Sequence, residues 1–191
     1  MRYVERSLKG TFGYIKKQRT FEIVKTIVLY MMAFGIFFIG YFTLGTKKSL
    51  WSVFGVLALL PACKSLVGVI MLARFSSLEE DRYIRYKEAA GNVLTLYENI
   101  LTTSERTFFI PVIGIAGGTV TAFVSTDEKS AKDATEHIMS ILEKAGYKVT
   151  VKLFTDEAAF IERIKELNDK YGHENDPRPA QIANTIKAVS V

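Results

Sequence analysis

Two apolar stretches decide the fold, Ile27-Val-Leu-Tyr-Met-Met-Ala-Phe-Gly-Ile-Phe-Phe-Ile-Gly-Tyr-Phe-Thr-Leu44 and Leu50-Trp-Ser-Val-Phe-Gly-Val-Leu-Ala-Leu-Leu-Pro-Ala-Cys-Lys-Ser-Leu-Val-Gly-Val-Ile-Met-Leu72. The first carries no charge, and the second carries only Lys64. A helix needs about 20 apolar residues to cross a bilayer, and both stretches are near that length. The sequence therefore predicts a transmembrane hairpin over residues 21–75, with helices at about 22–44 and 50–73.

The net charge of +5 lies in the first twenty residues, where six Lys or Arg side chains outweigh Glu5. The remainder is near neutral, which argues against a nucleic-acid-binding domain. Basic residues beside a membrane helix attract anionic headgroups, by about 1 kcal/mol each. Residues 1–20 are therefore expected at the lipid surface, either as an amphipathic interfacial helix or as a loosely ordered basic leader.

The distribution of basic residues also predicts the orientation. Lys and Arg are frequent before the first helix and after the second, whereas the turn between them carries only Lys47 and Lys48. Cytoplasmic flanks are the ones enriched in such residues, so both termini are expected in the cytoplasm and the chain in the cell membrane. The single cysteine, Cys63, forms no internal disulfide, which agrees with this placement.

Lys64 and Pro61 make the second membrane helix unusual. A charge near the bilayer centre costs about 2.5–3.5 kcal/mol even on insertion scales, and Pro61 removes a helical hydrogen bond. Two interpretations remain open. Either Lys64 lines an anion path in a kinked helix, or it reaches the cytoplasmic headgroups while the helix tilts or bends at Pro61.

Small residues in the hairpin are candidates for close helix packing. They are Gly35, Gly40, Gly55 and Gly68. Because two helices bury little surface against each other, we expect either a homo-oligomer or a membrane protein partner.

Residues 76–104 show apolar side chains at helical spacing and predict a stalk helix. The stripe consists of Tyr86, Ala90, Val93, Tyr97, Ile100 and Leu101. The opposite face, which carries Arg82 and Arg85, is expected to be solvated.

Residues 105–171 predict a small α/β domain. Thr107–Ser125 is β-rich around a Gly117-Gly118 turn, which is typical of a β-hairpin. Pro111 places its first strand at an edge or in a bulge.

Two helices and one more strand complete the predicted domain. The capping box Ser125–Glu128 opens a helix to Ala145, Tyr147–Phe154 alternates as a strand, and Thr155 begins a second helix. Residues 172–191 are expected to form a tail with a short helix. The order α-β-β-α-β-α, with one right-handed parallel crossover, predicts a mixed three-stranded sheet.

The best candidate for a ligand site lies where two parallel strands end. Its residues are Ser125, Thr126, Asp127, Thr155 and Asp156. Loops at the carboxyl ends of parallel strands bind ligands in many α/β proteins, and helix N-termini there attract anions. The competing interpretation is that these side chains only cap helices. No residue pattern predicts a catalytic set, a metal site or a cofactor.

Three functions follow from these patterns. The first is a self-associating scaffold, adaptor or regulatory subunit that presents a cytoplasmic domain. The second is an oligomeric pore or small transporter subunit with Lys64 on an anion path. The third is a membrane-tethered enzyme, or a nucleotide- or metal-sensing domain, that uses the two strand-end loops. The sequence favours the first and leaves enzymatic activity open, leaning against it.

Overall fold

The computed structural model describes residues 9–44, 50–103, 106–125, 127–173 and 176–190. The chain forms two compact units. One unit is Ile15–Ser76, which we call the hairpin unit. The other combines Met1–Tyr14 with Ser77–Val191, which we call the α/β unit. The hairpin unit is therefore an insertion within the chain of the α/β unit.

The hairpin unit consists of helix α1, Tyr14–Leu44, and helix α2, Leu50–Ala73. Both are long and apolar enough to span a membrane. Helix α2 continues through Pro61. Large apolar side chains on both helices are exposed to the surroundings, among them Met31, Phe42, Leu60 and Val67. Such a surface is stable in lipid and unfavourable in water.

The α/β unit has four strands and four helices among the described residues. In chain order they are α3 (Glu80–Ala90), β1 (Leu94–Thr102), β2 (Thr107–Ala116), β3 (Thr119–Phe123), α4 (Glu128–Lys144), β4 (Thr150–Phe154), α5 (Glu157–Tyr171) and α6 (Arg178–Val189). The sheet order is β1-β2-β3-β4. The pairs β1–β2 and β2–β3 are antiparallel, whereas β3–β4 is parallel.

Helices cover both faces of this mixed sheet. Helices α4 and α6 contribute to one apolar cluster, through residues such as Ile138, Leu142, Ile182 and Ile186. Helices α3 and α5 contribute to the other, through Tyr86, Phe160, Ile164 and Leu167. Strand β3 shows the alternation that this arrangement requires, because Val120 and Ala122 belong to the first cluster and Phe123 to the second.

The predicted three-stranded sheet is wrong by one strand, because the predicted stalk helix over 76–104 ends early. Helix α3 ends at Ala90, and Gly91 adopts a positive φ of 54°. Residues 94–102 then form β1, which pairs with β2. The Gly117-Gly118 hairpin is present as predicted, between β2 and β3. The observed order is thus α-β-β-β-α-β-α-α.

Pro111 does not lie in an edge strand, because β2 pairs with β1 on one side and β3 on the other. Pairing with β3 stops at Val112, one residue before Pro111 is reached. In the register with β1, Pro111 falls opposite Glu98, which has a left-handed φ of 52°. A local distortion is therefore present at this position in both strands, since Ile110 and Ile113 of β2 belong to the same apolar cluster although they are three residues apart.

Described residues near both ends of the chain pack on the α/β unit, and the predicted short C-terminal helix is present. Residues 1–8 lie outside the described part, and the next residues pack on the α/β unit, where Phe12 stacks on Tyr83. The predicted C-terminal tail contains α6, which buries Ile182 and Ile186 against the sheet. Neither described segment is a loose extension.

Candidate functional site

The two predicted ligand loops leave the sheet at the same edge. Strands β3 and β4 are parallel neighbours with Phe123 opposite Phe154, and the Val124 amide donates to the Phe154 carbonyl at 2.9 Å. Ser125 and Thr155 follow directly, and both are exposed. Thr126 lies outside the described residues. We call this region the strand-end edge.

The two aspartates at the strand-end edge cap helices. Asp127 is the N-cap of α4 and accepts from the Ser130 amide at 3.3 Å and the Ser130 hydroxyl at 2.8 Å. Asp156 is the N-cap of α5 and accepts from the amides of Ala158 and Ala159 at 3.2 and 3.3 Å. Both carboxylates thus satisfy amides that would otherwise lack a partner at a helix start.

The capped helices diverge from this edge, because α4 packs on one face of the sheet and α5 on the other. Asp127 and Asp156 therefore cap helices that lie on opposite faces of the sheet. Among the described residues, no group of three or more His, Cys, Asp or Glu side chains is placed to hold a metal ion. Of the five predicted residues, Asp127 and Asp156 therefore cap helices, and a ligand-binding role for the set stays a prediction.

A second set of charged residues meets at the strand-end edge, and the sequence prediction missed it. Arg82 of α3 donates to Glu157, the first residue of α5, with Nη2 2.6 Å from Oε2. Arg85 lies 3.7 Å from the other carboxylate oxygen. The guanidinium of Arg82 also lies 5.7 Å from the centre of the Phe123 ring. Arg82 is thus half-buried between two helices, whereas the sequence placed it on a solvated face.

The electrostatics of this set follow from the pair. The hydrogen bond from Arg82 holds the pKa of Glu157 below its ordinary value, and the positive charge of Arg85 acts in the same direction. Because the Arg82 guanidinium is hydrogen-bonded to the Glu157 carboxylate, the set joins α3 to α5. Glu157 lies 75 positions after Arg82, so no local sequence pattern indicated this contact.

Tyr86 of α3 lies beside Arg82 and Glu157. Its side chain is fully buried against Phe123 and Phe160, with ring centres 6.2 and 5.8 Å away. Its hydroxyl has no hydrogen-bond partner of acceptable geometry among the described residues. The pKa of Tyr86 is raised to about 12, mainly by burial and in part by the nearby Glu157 carboxylate. The phenol therefore stays neutral in the physiological range.

A shallow cleft of about 210 Å³ lies elsewhere on the α/β unit, near the start of α6. Asn92, Tyr171 and Asp176 contribute its polar groups. Asp176 accepts hydrogen bonds from the Arg178 amide and guanidinium, at 3.0 and 2.7 Å. These bonds hold the pKa of Asp176 below its ordinary value. The acid of the cleft is therefore already paired.

In the hairpin unit, Lys64 is exposed and its neighbour Ser65 is buried between the helices. The Ser65 hydroxyl donates to Glu22 at 3.2 Å and accepts from Thr26 at 2.9 Å. Glu22 also pairs with Lys25, at 2.7 Å. Lys64 is therefore near the level of a charged pair at the end of the apolar run. Which of the two interpretations of Lys64 holds stays a prediction.

The four glycines of the hairpin have different surroundings. A Cβ on Gly55 would lie 3.0–3.3 Å from side-chain and backbone atoms of Phe37, so the helices approach closely there. A Cβ on Gly68 would lie 3.7 Å from Glu22, whereas one on Gly35 would meet nothing within 4 Å. The surroundings of Gly40 are outside the described part. A packing role for Gly35 stays a prediction that needs a second chain.

Comparison with protein-family models, curated proteins and solved structures found no match to this chain.

Proposed function

We propose that the protein is a membrane-anchored scaffold, adaptor or regulatory subunit. The hairpin unit holds the chain in the cell membrane, and the α/β unit is presented on the cytoplasmic side. The observation that carries this proposal is the contrast between the units. The hairpin unit exposes residues such as Met31, Leu60 and Val67, whereas the α/β unit encloses two apolar clusters of its own.

The state of the strand-end edge supports a binding role over catalysis. Asp127 and Asp156 are engaged with helix amides, and Glu157 is engaged with Arg82. A general acid or base needs a polar group free to reach a substrate atom. Groups already committed to the fold instead make a rigid surface, which suits a domain that presents a fixed face to a partner.

Self-association belongs to the same proposal. The hairpin exposes apolar side chains around most of its surface, and Gly35 opens a space that no residue of the described hairpin fills. Small residues of this kind permit close helix approach between chains. We infer that copies meet through their membrane helices.

Membrane insertion and orientation are tested together by labelling with a membrane-impermeant maleimide. In a Cys63→Ser background, Lys48→Cys is expected to react in intact cells. His173→Cys is expected to react only after permeabilisation. The chain should also stay in the pellet after alkaline carbonate extraction. Extraction into the supernatant, or labelling of both positions in intact cells, contradicts the proposed anchor and its orientation.

Self-association is tested by native mass spectrometry of the full chain in nanodiscs and in two detergents. A dimer or a higher oligomer is expected in each. A monomer throughout contradicts self-association, although it leaves the anchor intact. The same samples are tested by thermal shift with nucleotides and Mg²⁺, where the scaffold proposal expects no change. A reproducible increase in Tm would instead favour the nucleotide- or metal-sensing alternative.

A further inference from the structure

Two neighbouring residues of β1, Tyr97 and Glu98, contact the segments that lead into and out of the hairpin unit. We call residues 9–13 the entry segment and residues 74–79 the exit segment. On the entry side, the Tyr97 amide donates to the Gly10 carbonyl at 2.9 Å. On the exit side, the Glu98 carboxylate accepts from the Leu78 amide at 2.9 Å and from the Ser77 hydroxyl. Helix α1 begins four residues after Gly10, and α2 ends four residues before Ser77.

The entry and exit segments also share an aromatic contact. Phe12, on the entry side, stacks on Tyr83 of α3 with ring centres 4.3 Å apart. Tyr83 in turn makes an edge contact with Tyr97, at 4.9 Å. Because α3 begins two residues after Leu78, Tyr83 belongs to the exit side. The rings of Phe12, Tyr83 and Tyr97 therefore connect the entry segment, helix α3 and strand β1.

Glu98, which contacts the exit segment through its carboxylate, itself has a strained backbone conformation. It is 1% exposed and has a φ of 52°, a region that residues other than glycine adopt at a cost. The opposite residue on β2, Pro111, has no amide to donate to it. Strain of this kind persists where the surrounding structure imposes it, often at functional positions. Here the strained residue places a carboxylate on Leu78 and Ser77.

The left-handed residue also sets which amides of β1 face outward. The outward amides are those of Tyr97, which reaches Gly10, and Ile100, which donates to the Ser190 hydroxyl at 3.2 Å. They are three residues apart, whereas a regular strand turns amides outward at even spacing. The change of phase at Glu98 therefore lets the entry segment and the C-terminal segment both cover the outer edge of β1.

The entry segment fits tightly at Gly10. Its φ is 79°, and a Cβ there would lie 2.9 Å from Lys187 and 3.0 Å from Leu96. The Lys9 ammonium donates to the Ser190 carbonyl. The segment is thus held by β1, by α3 and by the end of α6.

We propose that Tyr97 and Glu98 form a latch, which joins the entry and exit segments of the hairpin so that the two are released together. Release removes the Gly10 carbonyl from Tyr97 and uncovers the part of the outer edge of β1 at that residue, whereas Ser190 still covers Ile100. An uncovered strand edge pairs readily with another strand. Release of the two segments would then change the surface that the α/β unit presents.

The test is amide hydrogen exchange of the full chain in nanodiscs, read at Leu78 and Tyr97. Glu98→Gly removes the carboxylate without adding backbone strain, because glycine adopts a positive φ readily, so faster exchange in this variant reports the loss of the carboxylate. We expect exchange at least about tenfold faster at both amides, because opening on one side releases the other. Glu98→Gln keeps an acceptor oxygen and should stay within about twofold of the native chain. Glu162→Gln, on an exposed position of α5, is the matched control.

A second variant approaches the latch from the entry side. Phe12→Ala should accelerate exchange at Leu78 as well as at Tyr97, and it decides the matter if Glu98→Gly fails to fold. Acceleration confined to the mutated side in either variant overturns the coupling. Equal acceleration at the core amide of Val120 overturns it too, because the segments would then unfold with the whole unit rather than as a latch.

Discussion

Arg82 and Glu157 form a charged pair, 2.6 Å between Nη2 and Oε2, that joins the first helix after the hairpin unit to the helix after β4. Both side chains are mostly buried, with exposed fractions of 30% and 25%. A charge left in such a place without its partner is costly. The pair therefore fixes α3 against α5, while the two helices also share the apolar cluster below.

Glu157→Gln is expected to lower the free energy of unfolding by about 1–2 kcal/mol, because Arg82 loses its charged partner while a quarter of the site remains solvated. Urea denaturation of the full chain in detergent measures this. Glu162→Gln, on the exposed side of the same helix, should change it by less than about 0.5 kcal/mol. Equal effects of the two substitutions would show that the pair contributes nothing particular.

The same pair predicts a loss of stability in acid. The pKa of Glu157 is lower in the folded chain than its ordinary value of 4.5. The stabilisation is therefore fully present above about pH 4.5 and is lost as the pH falls through the lower folded value. In Glu157→Gln this part of the acid dependence should be missing. An unchanged acid limb in the variant would contradict the assignment.

Tyr86 predicts a change at the alkaline end. Its pKa is raised from 10.0 to about 12 by burial, so its contribution is complete below pH 10 and decreases as the pH rises toward 12. Tyr86→Phe should reduce this alkaline loss. Near pH 7 the substitution should be neutral or slightly stabilising, because the buried hydroxyl has no hydrogen-bond partner among the described residues. A loss above about 1 kcal/mol at pH 7 would show a bond that the geometry lacks.

Local patterns in the sequence predicted the elements whose signals are local. The two apolar helices, the Gly117-Gly118 hairpin and the parallel β3–β4 pair all follow from residues close in the chain. The helix caps at Asp127 and Asp156 were also readable as an alternative to a ligand site. By contrast, the contact of Arg82 with Glu157 joins residues 75 positions apart, which no local pattern reports.

Strand β1 was mistaken for a helix for a specific reason. Leu96 and Leu101 are five residues apart and belong to the same apolar cluster, which strict alternation would forbid. Ile110 and Ile113 of β2 show the same odd spacing. Glu98, which has a positive φ, lies between Leu96 and Leu101. It shifts by one residue the alternation of side chains between the two faces of the sheet. The residues that predicted the helix, Tyr97, Ile100 and Leu101, are three and four positions apart as on a helix face, although they lie in an extended strand.

The β2–β3 turn offers a matched pair of glycine substitutions. Gly117 and Gly118 both have positive φ, 51° and 75°, so alanine strains the backbone at either. Only at Gly117 would the new Cβ meet a neighbour, the Tyr171 ring at 2.4 Å. Gly117→Ala should therefore destabilise the chain by at least about 1 kcal/mol more than Gly118→Ala, in thermal or urea unfolding. Equal losses would mean that Tyr171 moves aside without cost.

Lys64 and Ser65 are neighbours on α2, but Lys64 is exposed and Ser65 is buried. Substitutions at the two positions therefore test the packing of the hairpin unit. Lys64 is exposed, so Lys64→Leu should leave the packing of α1 and α2 unchanged. Ser65 lies buried between Glu22 and Thr26, so Ser65→Leu removes a hydrogen-bonding partner and adds volume where none is open. It should lower the thermal midpoint of helix loss, followed by far-ultraviolet circular dichroism in detergent, by several degrees.

Chloride flux in proteoliposomes tests whether Lys64 serves transport or whether the hairpin unit is only an anchor. If Lys64 lined an anion path, chloride flux would be present in the native chain and would change with Lys64→Glu, whereas the anchor proposal expects no flux in either.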